Sequence, residues 1–212
     1  MSENHPFDDY FDAALGDQPF MGVFRSLPPA QAVARATRAW DAGVRNVEIP
    51  VQTTDAMPTL EAVIAAGRER GLPVGAGTIV TAEQLDAVQR AGAAYTVSPG
   101  FDEAIVRESA DRALPHLPGV ATASEVLAAR RAGLRWVKAF PASVLGASWI
   151  AAMRGPFPDQ RFVVTGGMNV DVAPAFLAAG ARTVAMGDAF DDDAALDAIR
   201  AYLAASVPST PA

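Results

Sequence analysis

Residues 73–100 read PVGAGTIVTAEQLDAVQRAGAAYTVSPG, and the fold is legible there. The first run, Pro73–Ile79, is short, small and apolar. Thr81-Ala-Glu83-Gln84 then opens a segment that places Leu85 and Val88 on one face, as a helix would. Ala91-Gly92 is a glycine stop of the kind found at helix C-termini. A second apolar run, Ala94–Ser98, follows at once. A strand, a helix and a strand in so short a span make a parallel βαβ unit.

The same beat repeats outward in both directions. Strand-like runs occur at Met21–Arg25, Asn46–Val51, Pro73–Ile79, Ala94–Ser98, His116–Val120, Trp136–Pro141, Arg161–Thr165 and Thr183–Met186. Between them, Pro28–Asp41 places Ala32, Val33, Ala36 and Trp40 at helical spacing. Thr122-Ala-Ser-Glu125 reads as a capping box before another helix. Ala42-Gly43, Arg70-Gly71, Ala132-Gly133 and Ala179-Gly180 repeat the glycine stop. Continuous apolar strands alternating with helices indicate a parallel sheet covered on both faces. Eight beats favour the α/β class and a closed (β/α)8 TIM barrel in one domain. An open Rossmann-like sheet is the alternative, but no G-x-G-x-x-G follows the first strand. The expected organisation is an N-terminal helical extension over 1–20, which closes the barrel bottom, the barrel over 21–205, and a disordered tail over 206–212.

Composition narrows the function classes. Half of the 212 residues are hydrophobic and 19% are charged, a globular balance. A net charge of −7 provides no basic footprint for nucleic acid and no polybasic membrane patch. There is no cysteine, so disulfides, thiolate metal sites and thiol nucleophiles are excluded. The two histidines, His5 and His116, are too few for a histidine-built zinc site, and His5 falls in a terminus expected to be mobile. No apolar run has the length of a membrane helix, and Met1–Tyr10 lacks the pattern of a signal peptide. The expected location is the cytoplasm.

A barrel concentrates chemistry at the C-terminal ends of its strands. One residue stands out there: the chain has sixteen arginines and a single lysine, Lys138, inside the apolar strand Trp136-Val-Lys-Ala-Phe-Pro141. Alternation puts Lys138 opposite Val137 and Ala139 and on the same face as Phe140. Arginine cannot replace lysine in one role, losing its proton to become an amine nucleophile that forms an iminium ion with a ketone. The plainer reading is a lysine whose stem lies along the strand while its ammonium reaches water.

Other strand ends carry supporting groups. Glu48 in Asn46-Val-Glu-Ile-Pro50 is an acid in an apolar strand, costly unless paired, hydrated or protonated. It suits proton transfer through a water, or else an ion pair with an arginine such as Arg25. Val164-Thr165-Gly166-Gly167 and Ala185-Met-Gly187-Asp188 end the last two runs, where glycines let backbone N–H groups approach an anion. A tight βα turn would use the same glycines. Gly75-Ala-Gly-Thr78 and Ser98-Pro99-Gly100 keep room at the mouth, and Thr78 offers a hydroxyl.

Taken in order, Glu48-Ile-Pro, Gly75-Ala-Gly-Thr78, Ser98-Pro-Gly100, Pro118-Gly-Val-Ala-Thr122, Val137-Lys-Ala-Phe-Pro141 and Thr165-Gly-Gly167 resemble the KDPG/KDPGal aldolases, class I enzymes acting on 2-keto-3-deoxy-6-phosphogluconate or -galactonate, some also on 4-hydroxy-2-oxoglutarate. The resemblance spans roughly Gly22 to Phe190. It implies that Lys138 is the Schiff-base lysine and Glu48 the general acid/base. By the same resemblance Thr78 helps hold the pyruvate carboxylate, Pro99 and Phe140 line the pocket, and Gly166 and Gly167 belong to a phosphate cradle. Arg25 resembles an arginine of the galactonate-type branch. The family implies a homotrimer, no cofactor and no metal. Two positions depart from the pattern. Gln52 stands where gluconate-type enzymes carry arginine and galactonate-type enzymes asparagine. Asp188 stands where many members carry a phosphate-binding serine, and a carboxylate beside a phosphate is repulsive unless a cation intervenes.

Two rival functions share these residues. A sugar-phosphate isomerase or epimerase would use Glu48 as base and Lys138 as an electrostatic anchor. A keto-acid-binding protein would keep the pocket without turnover. Only an imine yields a stable borohydride adduct, and only a catalyst exchanges pyruvate protons with solvent.

Overall fold

The computed structural model describes residues 5–206. Among them nine strand segments, all parallel, form one sheet. They are β1 Phe20–Val23, β2 Val47–Pro50, β3 Val74–Gly77, β4 Tyr95–Val97, β5 His116–Leu117, β6 Gly119–Val120, β7 Trp136–Ala139, β8 Arg161–Thr165 and β9 Thr183–Met186. β1 pairs with both β2 and β9. At the other limit, β5 pairs with β4 and β6 with β7. Only Pro118 separates β5 from β6. Having no N–H, it interrupts the ladder, yet its carbonyl still accepts from the Lys138 N–H at 2.8 Å. The two short segments are therefore one strand in the barrel sense, and eight strands close the ring. The open-sheet alternative falls on this closure.

Several strands stop short of the apolar runs read in sequence, whereas β8 and β9 coincide with theirs. Arg25, Ser98 and Phe140–Pro141 lie beyond the last ladder residues, because at the C-terminal rim the chain turns away into loops. Among the described residues the α-helices are α1 Pro6–Leu15, α2 Pro29–Asp41, α3 Met57–Arg70, α4 Ala82–Ala91, α5 Glu103–Asp111, α6 Ala123–Arg131, α7 Ala142–Leu145, α8 Ala147–Arg154, α9 Ala173–Ala178 and α10 Asp193–Ser206, and the helix signals read in sequence fall at α2, α4 and α6. Thr81 with Gln84, and Thr122 with Glu125, form reciprocal capping boxes. The five glycine stops all have φ between 67° and 104°, the left-handed turn that ends a helix.

α1, Pro6–Leu15, packs on the barrel floor. Buried Asp8 accepts from the Arg135 backbone N–H at 2.9 Å, and Asp12 accepts from Trp136 Nε1 at 2.6 Å and Arg135 Nη2 at 3.0 Å. Asp12 also pairs with Arg161, so one helix ties the N-terminal ends of β7 and β8. Phe11 is fully buried against Tyr95 and Trp136. His5 is not loose: its Nδ1 accepts from the Phe7 N–H at 3.3 Å and caps this helix. Two expected boundaries shift. Phe20 already belongs to the barrel because it pairs with Val184 of β9. Ser206 is the last residue of α10, Asp193–Ser206, rather than the first of a tail. The remainder of that tail, 207–212, lies outside the described residues.

Candidate active site

The C-terminal rim surrounds a cavity of about 840 Å³. Ten of the sequence-predicted residues line it: Arg25, Thr78, Pro99, Lys138, Phe140, Thr165, Gly166, Gly167, Gly187 and Asp188. They come from the ends of six strands, and the alternation of side chains along each strand is what turns them inward. Glu48 and Gln52 are not on the wall. Glu48 is buried beside Lys138, and Gln52 holds Arg25 from outside the cavity lining.

Lys138 and Glu48 are 4% and 2% exposed, and Nζ lies 3.8 Å from Glu48 Oε1. That separation is an ion-pair contact but too long for a hydrogen bond. Glu48 Oε1 has no hydrogen-bond partner among the described residues, although it is fully buried. An orphaned carboxylate oxygen beside a buried amine is costly for stability and useful for moving protons. Nζ also sits 5.2 Å from the centroid of the Phe140 ring, so one side of the amine is apolar. The reading in which the lysine head reaches bulk water does not fit this burial, and Arg25 does not pair with Glu48.

Room for the carboxylate comes from glycine. A Cβ on Gly77 would lie 1.8 Å from Glu48 Oε1, and one on Gly75 would lie 2.2 Å from the Tyr95 ring. The Gly75-Ala-Gly77 run thus shapes the interior below the mouth, where Tyr95 fills the barrel and donates to the Val47 carbonyl at 2.9 Å.

Thr78 follows directly at φ 63°, a left-handed conformation that is strained for a β-branched residue. Its Oγ1 accepts from Arg25 Nη1 at 3.3 Å, and Gln52 Oε1 accepts from the same nitrogen at 3.1 Å. Gln52 Nε2 in turn donates to Ser26 Oγ at 3.3 Å. Gln52 therefore orients Arg25 and does not itself face the cavity.

On the far side, Gly166 and Gly167 have φ of 95° and 73°. A Cβ on Gly166 would come within 3.1 Å of the Phe140 ring, so glycine is needed twice over, for conformation and for contact. Asp188, exposed at the rim, pairs with Arg35 of α2 at 3.4 Å. Arg35 also donates from Nε to Asp191 Oδ1 at 2.8 Å and pairs through Nη2 with Asp191 Oδ2. Sequence reasoning missed Arg35, together with Met168 and Asn169, which line the same wall. No sequence signal separates Arg35 from the other surface arginines.

His116 stays away from the chemistry. It is fully buried, with Nδ1 2.8 Å from Thr96 Oγ1 and Nε2 3.1 Å from Ser98 Oγ, and burial pushes its pKa down to about 3. It braces the turn that carries Pro99.

This architecture has known counterparts. A family model described as KDPG and KHG aldolase matches residues 11–201. A probable 2-dehydro-3-deoxy-6-phosphogalactonate aldolase of Rhizobium meliloti is 32% identical over 172 residues, 81% of either chain. A 2-dehydro-3-deoxy-phosphogluconate aldolase of Pseudomonas aeruginosa is 38% identical over 154 residues, 72% of this chain and 66% of that one. Among solved structures, KDPG aldolase from Legionella pneumophila, with pyruvate captured as a covalent carbinolamine intermediate, superposes with a TM-score of 0.77. It is 26% identical and covers 95% of this chain and 97% of its own.

Proposed function

The chain belongs to the KDPG and KHG aldolase family, and from that premise we propose that Lys138 is its Schiff-base nucleophile and Glu48 its proton carrier. The protein is a lyase, a class I aldolase that cleaves KDPG or KDPGal to pyruvate and an aldehyde. The observation that supports the two roles is the buried amine on the cavity wall, 3.8 Å from a carboxylate oxygen that lacks any other partner.

The steps follow from this placement. The Lys138 amine, its proton passed to Glu48, adds to the C2 ketone, and Glu48 returns that proton through a water to the carbinolamine hydroxyl, which leaves as water to give the iminium ion. Glu48, through a water, removes the C4 hydroxyl proton as the C3–C4 electron pair moves into the iminium, giving an enamine and a free aldehyde. The enamine takes a proton at C3, and hydrolysis releases pyruvate and regenerates the amine. Thr78 and Arg25 suit the pyruvate carboxylate at one end of the cavity. The Gly166-Gly167 turn suits a phosphate at the other, with Thr165 and Gly187 flanking it. Pro99 and Phe140 exclude water in between. In the family pattern the enzyme works as a cytoplasmic homotrimer.

Intact mass after incubation with pyruvate and sodium borohydride tests the assignment. Reduction of the imine adds about 72 Da, and peptide mapping is expected to place it on Lys138. An adduct elsewhere, or none in folded protein that binds pyruvate, sinks these roles.

A further inference from the structure

One cationic group at the mouth of the cavity takes no part in the chemistry above. Arg35 comes from the second turn of α2, outside every strand-end motif, yet its side chain lines the cavity with Gly187 and Asp188. Its side chain is only 13% exposed, and its guanidinium carbon lies 5.8 Å from the Phe24 ring centroid. Phe24 is itself held edge-on by Phe190. The cation is therefore fixed from below by packing.

Its hydrogen bonds are unequal. Nε and Nη2 both go to Asp191, a two-pronged contact that sets the plane of the guanidinium. Nη1 has only Asp188, at 3.4 Å, and the Asp188 side chain is fully exposed. Breaking the second contact costs little, because the carboxylate is already hydrated and the pair is stretched. A phosphate dianion entering this end of the cavity would meet Asp188 at like charge and Nη1 at opposite charge. In a partly buried site both forces favour an exchange of partners.

We propose that Arg35 is a specificity-determining residue. Its Nη1 edge receives the distal phosphate of the substrate, and Asp188 is a counter-ion displaced from that edge when the phosphate binds. Asp191 stays in place and keeps the guanidinium aimed. The departure at Asp188 is then no obstacle to a phosphorylated substrate. The carboxylate occupies the cation until a better anion arrives, so it weakens phosphate binding slightly and leaves the binding of an uncharged sugar tail unaffected. Arg25 does not compete for this role, since Gln52 and Thr78 hold its guanidinium turned towards the ends of β2 and β3, away from β9. The inference rests on the aldolase reading above.

The test compares kcat/KM for a 6-phosphorylated 2-keto-3-deoxy acid with that for its unphosphorylated analogue, in wild type, Arg35→Gln and Asp188→Ser. Borohydride trapping of pyruvate, which involves no distal group, is run on each variant as a check on folding and on the lysine. Arg35→Gln is expected to lower the phosphorylated-to-unphosphorylated ratio by about tenfold or more, the usual worth of a charged hydrogen bond. Asp188→Ser is expected to raise that ratio a few-fold, roughly the loss of a weak competing ion pair. If pyruvate traps on Lys138 but either ratio is unmoved or moves the other way, the role of Arg35 and Asp188 is overturned while the aldolase assignment stands. If wild type gives no adduct, the assignment itself fails.

Discussion

At the residue scale, the Lys138–Glu48 pair depends on atoms that are not there. Gly77 has no Cβ, and one placed there would lie 1.8 Å from the Glu48 carboxylate. Gly77→Ala is therefore expected to push Glu48 off its position below the amine and to lower kcat by about a hundredfold, the lower end of what a positioned acid/base supplies. Steady-state kinetics with the intact substrate check this, alongside Glu48→Gln, which should fall at least as far. A Gly77→Ala enzyme of near-normal kcat would mean that Glu48 moves no proton. Lys138 was legible in sequence because it is the sole lysine among sixteen arginines. Gly77 was legible only as a small residue, since nothing in a linear pattern says which side chain will lean across it.

At the element scale, α1 stabilises the barrel without touching its chemistry. Asp12 gathers Arg135, Trp136 and Arg161 at the floor, at the end of the barrel opposite the cavity. Asp12→Ala should cost about 1–3 kcal/mol, a range held down because the carboxylate is partly exposed and partly screened. Chemical denaturation is expected to show the loss, with kcat at 25 °C kept. The N-terminal extension was foreseen as a helix, but its polar grip on β7 and β8 was not. Asp8 and Asp12 look like ordinary surface acids of an amphipathic helix until the strands they cap are known. The glycine stops and the Thr122–Glu125 capping box, in contrast, are legible in sequence. They act over three or four residues, and local chemistry suffices for them.

At the scale of the whole molecule, one buried ring contributes to how stability changes in acid. His116 in the fold resists protonation until about pH 3, whereas an unfolded histidine takes its proton near 6.5. Between those values the unfolded chain binds more protons, so the stability this residue contributes is complete above pH 6.5 and declines as pH falls towards 3. Its slope is at most about 1.4 kcal/mol per pH unit for one proton. Urea titrations at pH 7, 5.5 and 4.5 should show wild type losing more stability than His116→Gln, and parallel losses would contradict this account. The sequence by itself determined the repeating βα beat, the closed parallel barrel and the strand ends where function would gather, because hydrophobic period and helix capping are short-range properties. It also singled out Lys138 and Glu48. Only the tertiary structure decided that these two lie 3.8 Å apart, that Gln52 serves Arg25, and that Arg35 reaches the cavity between Asp188 and Asp191. Those meetings depend on the stagger with which the strands close into a ring and on how each helix seats against it. Both are set by packing across the whole barrel, and no local pattern records them.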